Sequence, residues 1–273
     1  MNKTTTSGNT VSVPPPLARS DMESLRRLVR EPSERMRTSS FVVEGPHLVE
    51  RALEEASERI KYVYITSEAL KKQSSFAAKF EKANVSVIHI TSMQARQLSD
   101  TRTTQGVFAL VAMDAPKRTD GKCVIILDGV QDPGNVGTII RAAAWFGAGR
   151  VVLGAGSADP YAPKTIRATQ GEIFSLRCEL VKELAPAIVA LKKTGYKIFT
   201  TTLETPACSI YEERFDGKCA VVLGSEAHGI SGDVLALSDE SLIIPRVGSG
   251  ESLNVAMSAV IILSEIASRS RRG

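Results

Sequence analysis

Three segments in the second half of the chain constrain its fold most. Each is a short, almost wholly apolar run that breaks off into a polar loop: 123–127 into Asp128-Gly129, 219–223 into Gly224-Ser225-Glu226, and 241–244 into Pro245 and the glycines at 248 and 250. A run without polar alternation is a strand buried on both faces, the mark of a parallel sheet covered by helices. Helical periodicity fills the gaps over 136–146, 184–193 and 253–269, and shorter strands read at 150–153 and 197–202. In such sheets ligands collect beyond the carboxyl ends of the strands. Chemistry is therefore expected in the loops that leave those ends.

The first half has a different texture. Strands at 39–43, 60–65, 85–90 and 107–112 alternate with helices at 46–56, 69–82 and 92–98, the pattern of a small α/β layer domain. A polar stretch with Pro116 and Gly121 separates the two regions. The chain thus divides into a flexible tail at 1–18, a first domain at 19–114, a linker at 115–122 and a second domain at 123–273. The tail lacks the apolar core of a signal peptide. No run reaches the roughly 20 apolar residues of a membrane span, so no membrane partner is expected.

The loop 128–137 carries Asp132, Asn135 and three glycines, and leads into a helix bearing Arg141. Open amides at a helix N-terminus favour an anion, which suits an RNA phosphate with Arg141 farther along. An ordinary N-cap at Asn135 and a surface arginine account for the same residues. In the second loop Glu226 follows a buried strand directly and stands between glycines, a poor place for packing and a good one for a ligand; a turn with Ser231 capping the next helix is the alternative. His228 reads as a solvent-facing loop residue, since no nucleophile motif accompanies it. Ser252 and Asn254 close the third loop, and Ser252 is also a candidate helix cap. Gly154-Ala155-Gly156 lacks the third glycine of the dinucleotide-binding fingerprint, which argues against a dehydrogenase.

Four cysteines without a Cys-x-x-Cys spacing and three histidines give no zinc or disulfide framework. No metal is expected, and free thiols suit a reducing cytoplasm. The formal charge of +4 is compatible with a polyanionic partner. Arginine is concentrated between 19 and 37, six against four acids, and its planar fork suits phosphate.

In order and spacing the three loops resemble the signature motifs of the SpoU (TrmH-like) RNA methyltransferases of the SPOUT class. Asn135-x-Gly137-x-x-x-Arg141 resembles the first, Leu223-Gly224-Ser225-Glu226-x-x-Gly229-Ile230 the second, and Ile244-Pro245 through Ser252-Leu253-Asn254-Val255-Ala256 the third. The segment from Asp159 to Ala168 is also similar, so the resemblance covers 124–268. Phe41-Val42-Val43-Glu44-Gly45 and the later Leu98-Ser99-Asp100-Thr101 to Gln105-Gly106-Val107 resemble the L30e-like RNA-binding domain that precedes the methyltransferase in many members. The layout is similar to that of 23S rRNA methyltransferases, including the thiostrepton-resistance type. Two departures stand in the second motif: Ser225 where Asn is usual and Ala227 where Gly is usual.

The resemblance implies an α/β SPOUT domain with a parallel sheet and a deep trefoil knot, and a homodimer whose site is completed by the partner. It implies S-adenosylmethionine as cofactor, held by Thr201, Leu203, Gly224, Ser225, Gly229, Ile244 and Leu253. Catalysis falls to Asn135, Arg141, Glu226, Ser252 and Asn254, and RNA contact to Arg37, Glu44, Arg141 and Arg167. The implied reaction is methylation of a ribose 2′-hydroxyl of structured RNA, 23S rRNA before tRNA. A fold that binds RNA and has lost its chemistry is the competing reading; four site residues together argue against it.

Overall fold

A computed structural model of the chain describes residues 17–73, 75–113, 121–204 and 206–270. Most of the expected tail and linker lies outside the described residues. The first half contains α1 (Arg19–Arg30), α2 (Pro32–Thr38), β1 (Ser40–Glu44), α3 (Pro46–Glu55), β2 (Ile60–Thr66), α4 (Ser67–Lys72), α5 (Ser75–Lys82), β3 (Val87–Ile90), α6 (Ser92–Leu98) and β4 (Val107–Ala112). Its strands form a sheet in the order β1-β4-β2-β3, with β4 antiparallel to both neighbours. The arginine-rich stretch at 19–37 is a helix pair: Met22, Leu25 and Leu28 make a buried stripe on α1 that leaves the cations outside. The expected helix at 69–82 is two helices. Gln73 ends α4 by donating its backbone amide to the Ala69 carbonyl, and Ser75, a residue type that favours helix ends over interiors, opens α5.

The second half contains β5 (Cys123–Asp128), α7 (Pro133–Trp145), β6 (Arg150–Leu153), α8 (Pro163–Thr169), β7 (Arg177–Leu180), α9 (Leu184–Lys193), β8 (Tyr196–Thr201), β9 (Cys208–Ser209), β10 (Lys218–Gly224), α10 (Gly232–Leu235), β11 (Glu240–Ile243) and α11 (Val255–Ser270). The seven strands are all parallel, in the order β7-β6-β5-β10-β8-β11-β9. Apolar runs and two-sided burial coincide as expected. Ile125 and Leu127 enter the core under α7 and α11, while Val124 and Ile126 enter the opposite one with Ile188 of α9 and Val234 of α10. No described helix is long and apolar enough to cross a membrane.

The chain moves outward from β5 through β6 to β7 and then returns to the other side of β5, so the sheet's direction of growth reverses between β5 and β10. At such a switch point the loops diverge to opposite faces and leave a crevice at the strand ends. Leu127 pairs with Leu223 and Asp128 with Gly224, so the first two motif loops depart side by side from that crevice.

The two halves share one core. The Phe41 ring lies 4.9 Å from Tyr161 and 6.3 Å from Phe174. Arg35, 3% exposed, donates from Nε and Nη2 to Asp159 Oδ2 at 2.8 and 2.6 Å, and from Nη1 to the Leu28 and Val29 carbonyls at 2.6 and 3.1 Å. Arg59 Nη2 donates to the Phe174 carbonyl at 2.7 Å. These bonds fasten the first domain to the segment between β6 and β7.

Candidate active site

Pro133 at the first helical position and Asp132 before it start α7: the Asp132 carboxylate accepts from the Asn135 amide at 2.9 Å. Asp132, not Asn135, is therefore the cap, and the Asn135 side chain is free for other work. That amide bond comes first, and the nearby Lys164 adds to it, in holding the Asp132 carboxyl below its ordinary value against a small burial cost. Gly137 serves neither turn nor anion. It is buried where α7 meets α8, and a Cβ there would stand 2.4 Å from the Ala168 Cβ.

The second loop is folded on itself. Ser225 and Gly229 exchange backbone hydrogen bonds at 3.0 and 2.9 Å, and the Ser225 hydroxyl accepts from the His228 amide at 3.0 Å. A Cβ at Gly224 would lie 2.3 Å from the Gly229 carbonyl carbon, so the strand must end in glycine for this closure. Asp128 ties the loop to β5 by accepting from the Ser231 amide and hydroxyl, both at 2.7 Å. Ser231 thus holds the loop and makes no side-chain cap for α10. The His228 side chain is exposed, as expected.

Glu226, held at the tip of this loop, joins three strand ends. Its Oε1 accepts from Asn135 Nδ2 at 3.0 Å and from Asn254 Nδ2 at 3.2 Å, and Asn254 Nδ2 also donates to Asn135 Oδ1 at 3.0 Å. Asn254 Oδ1 accepts from the Ala256 and Met257 amides, so Asn254 rather than Ser252 starts α11. A triangle of one carboxylate and two amides, drawn from segments 91 and 119 residues apart in the chain, is the feature that fixes the three loops together.

The structure brings together Asn135, Glu226 and Asn254. Arg141 stands on the exposed face of α7 with Thr138 and Trp145, about 9 Å farther along at 1.5 Å per residue, without an ion-pair partner among the described residues. Ser252 is exposed on the approach to α11. Thr201 ends β8 and donates to the Val222 carbonyl at 3.1 Å; Ile244 follows β11 and packs against the core. Leu203 and Leu253 are 70% and 46% exposed on loops beyond the strand ends.

Of the residues expected at RNA, Arg167 reaches Asp100 at 2.9 Å and Arg37 pairs with Glu34 at 2.5 Å. Glu44 has a building role: its carboxylate accepts from the Ser99 hydroxyl at 2.5 Å, the Asp100 amide at 3.2 Å and the Thr101 hydroxyl at 3.3 Å. Asp128, Asp132 and Lys164 were not among the expected site residues. For Asp132 the signal was present as Asp-Pro at a helix start; the Asp128–Ser231 contact spans 103 residues and leaves no local trace. Away from this site, Cys208, Glu213 and Glu240 converge, and Lys197 Nζ bonds the two carboxylates at 3.1 and 2.6 Å, which is the geometry of an ion-pair cluster.

Comparison with known proteins agrees with this layout. The SpoU rRNA Methylase family matches residues 122–264, and the MRM3-like substrate binding domain matches residues 21–109. The 23S rRNA (guanosine(2553)-2′-O)-methyltransferase RlmP of Bacillus subtilis is 34% identical over 232 residues, covering 84% of this chain and 89% of that protein. A TrmH-family structure from Porphyromonas gingivalis superposes with a TM-score of 0.78 at 33% identity, covering 93% of this chain and 99% of that one. The SpoU methyltransferase AviRb of Streptomyces viridochromogenes, solved with AdoMet, has a TM-score of 0.82 at 23% identity over 94% of this chain and 100% of that one, a likeness of fold.

Proposed function

Because the chain belongs to the SpoU rRNA methylase family, we propose that it is an S-adenosylmethionine-dependent methyltransferase acting on a ribose 2′-hydroxyl of 23S rRNA. The observation that carries this reading is the Asn135–Glu226–Asn254 triangle at the switch point, which holds three loops in one arrangement.

The strand-end loops suit the cofactor. Leu203 and Leu253 are apolar side chains left partly in water, and a ligand with an adenine ring and an aliphatic chain would cover them, for a gain below the about 1.5–3 kcal/mol of a fully exposed leucine in each case. Thr201, Gly224, Ser225, Gly229 and Ile244 supply the neighbouring backbone. S-adenosylmethionine contributes the methyl group on its sulfonium when bound.

The protein's own task is to align the hydroxyl and to stabilise the charge that develops on its oxygen as the proton leaves. A guanidinium keeps its proton, so Arg141 acts as a cation that steadies the oxyanion and an RNA phosphate. Glu226 keeps the Asn135 and Asn254 amides aimed, and Ser252 adds a hydroxyl to the approach. The first domain, 19–114, holds the RNA through Arg37 among other cations, joined by Arg167 of α8, which reaches the Asp100 loop that Glu44 shapes.

A homodimer is part of the reading. Trp145, 84% exposed on the same face of α7 as Arg141, and the exposed Met257 and Val260 of α11 form an apolar surface that a second copy would cover, bringing Arg141 to the partner's triangle. The trefoil knot is supported by the return of α11 onto α7 after the chain has passed through β11 on the far side of β10. An rRNA substrate and free thiols support a cytoplasmic location.

Arg141→Lys tests the assignment. Lysine keeps the charge and loses the planar fork, and turnover is expected to fall roughly 10²-fold or more; near-normal turnover would exclude Arg141 as the group that steadies the oxyanion.

A further inference from the structure

Between α1 and the loop after α6 lies a cleft of about 350 Å³ that the catalytic loops do not touch, lined by Arg26, Arg30 and Arg102 over a floor that includes Val29 and Leu98. We propose that this cleft binds one unstacked nucleotide of the substrate RNA, with its phosphate on the three guanidinium groups and its base against the apolar floor; the proposal rests on the reading of the chain as an rRNA methyltransferase.

Charge is the first argument. Among the described residues, the contact of Arg26 Nη1 with Glu23 at 3.5 Å is the only side-chain hydrogen bond or ion pair that any of the three arginines makes. The one carboxylate in the lining, Asp100, is already engaged by Arg167 at 2.9 Å. Three cations around a small cleft repel one another, and a phosphate would relieve that repulsion while using donors the protein leaves open.

Shape is the second. Glu44 pins the Ser99–Thr101 wall through three hydrogen bonds, so the cleft is built before any ligand arrives. A cationic rim over an apolar floor is the chemistry that recognises a splayed single-stranded base, whose flat face stacks while its phosphate is held. Arg102 also lines an adjoining cleft of about 530 Å³ together with Arg96 and with Lys72, which Glu68 of the same lining holds at 2.9 Å, so the strand has a cationic continuation at Arg96.

Connectivity is the third. Asp100 is bonded to Arg167 of α8, and Lys164, one turn earlier on α8, is bonded to Asp132 at the start of α7. A nucleotide in the cleft is thus tied by successive contacts of a single chain to the helix that carries Asn135.

The test is the salt dependence of binding to unmodified, in vitro transcribed 23S rRNA. Arg30→Ala/Arg102→Ala should weaken binding at least about tenfold and flatten the plot of log affinity against log salt by about 0.7, the value for one lost phosphate contact on a single strand. Arg30→Lys/Arg102→Lys should keep the slope. Melting temperature and affinity for S-adenosylmethionine should match the wild type in both variants, which separates a lost contact from a lost fold. Unchanged affinity and slope in the alanine variant would overturn the proposal and assign the cleft to something other than RNA. The enzymatic reading fails separately, if the wild type binds the transcript but leaves no methylated ribose in it.

Discussion

Replacing Arg35 by methionine should loosen the whole molecule from a point far from the chemistry. The guanidinium is buried, gives two hydrogen bonds to Asp159 at 2.8 and 2.6 Å, and satisfies the carbonyls of Leu28 and Val29. Methionine fills much of the volume but leaves the carboxylate and both carbonyls without that partner. Breaking a buried pair from one side costs about 3–5 kcal/mol, and the partial exposure of Asp159 puts the value near the lower end, about 3 kcal/mol. For a chain of this size that is a fall of roughly 6–12 °C in melting temperature. Thermal unfolding followed by circular dichroism measures it. The double variant Arg35→Met/Asp159→Asn should recover part of the loss, because the orphaned charge is gone. RNA affinity should fall in Arg35→Met while affinity for S-adenosylmethionine holds, since the bond joins the first domain to the loop after β6 and involves none of the three motif loops. A loss under about 1 kcal/mol, or a double variant worse than the sum of the singles, would refute the view that this pair clamps the domains.

Three other outcomes follow from the same contacts. Gly137→Ala should destabilise the protein by about 1–3 kcal/mol despite alanine's better helix propensity, because the new Cβ meets Ala168 at 2.4 Å; a raised melting temperature would contradict that packing. Asp132→Asn should lose stability in a pH-dependent way: the native carboxyl is held below its unfolded value, so its contribution is complete above about pH 4 and disappears as pH falls through the lower native value. The stability gap between wild type and variant should therefore close on acidification, and a gap that widens there would contradict the cap. Glu226→Gln keeps one oxygen that can accept from the two asparagine amides but removes the negative charge that strengthens those bonds, so turnover should drop on the order of 10² while affinity for S-adenosylmethionine is retained; equal loss of both would make Glu226 a cofactor ligand instead.

The strands of the catalytic half were legible because burial on both faces writes a continuous apolar run, and the three loops were legible because each puts polar, glycine-rich sequence directly after one. What those loops do to each other was less so. The sequence offered Asn135 and Ser252 as caps, and the structure gives those tasks to Asp132 and Asn254, which changes which side chains remain available. The Asp-Pro step before α7 was a readable signal. The contacts Arg35–Asp159, Asp128–Ser231 and Arg167–Asp100 join residues 124, 103 and 67 positions apart, and no local pattern announces a partner at that range. The half-buried edge strands β7 and β9 escaped notice for another reason: Arg177, Glu179 and Ser209 dilute the apolar signal where only one side of the strand is paired.

Whether the chain methylates ribose is decided by incubating the purified protein with methyl-labelled S-adenosylmethionine and unmodified 23S rRNA, followed by nuclease digestion and mass spectrometry of the nucleosides. A single 2′-O-methylnucleoside that appears with the wild type and vanishes with Arg141→Ala is the expected result. Label on a base, or a ribose signal that survives Arg141→Ala undiminished, would contradict it.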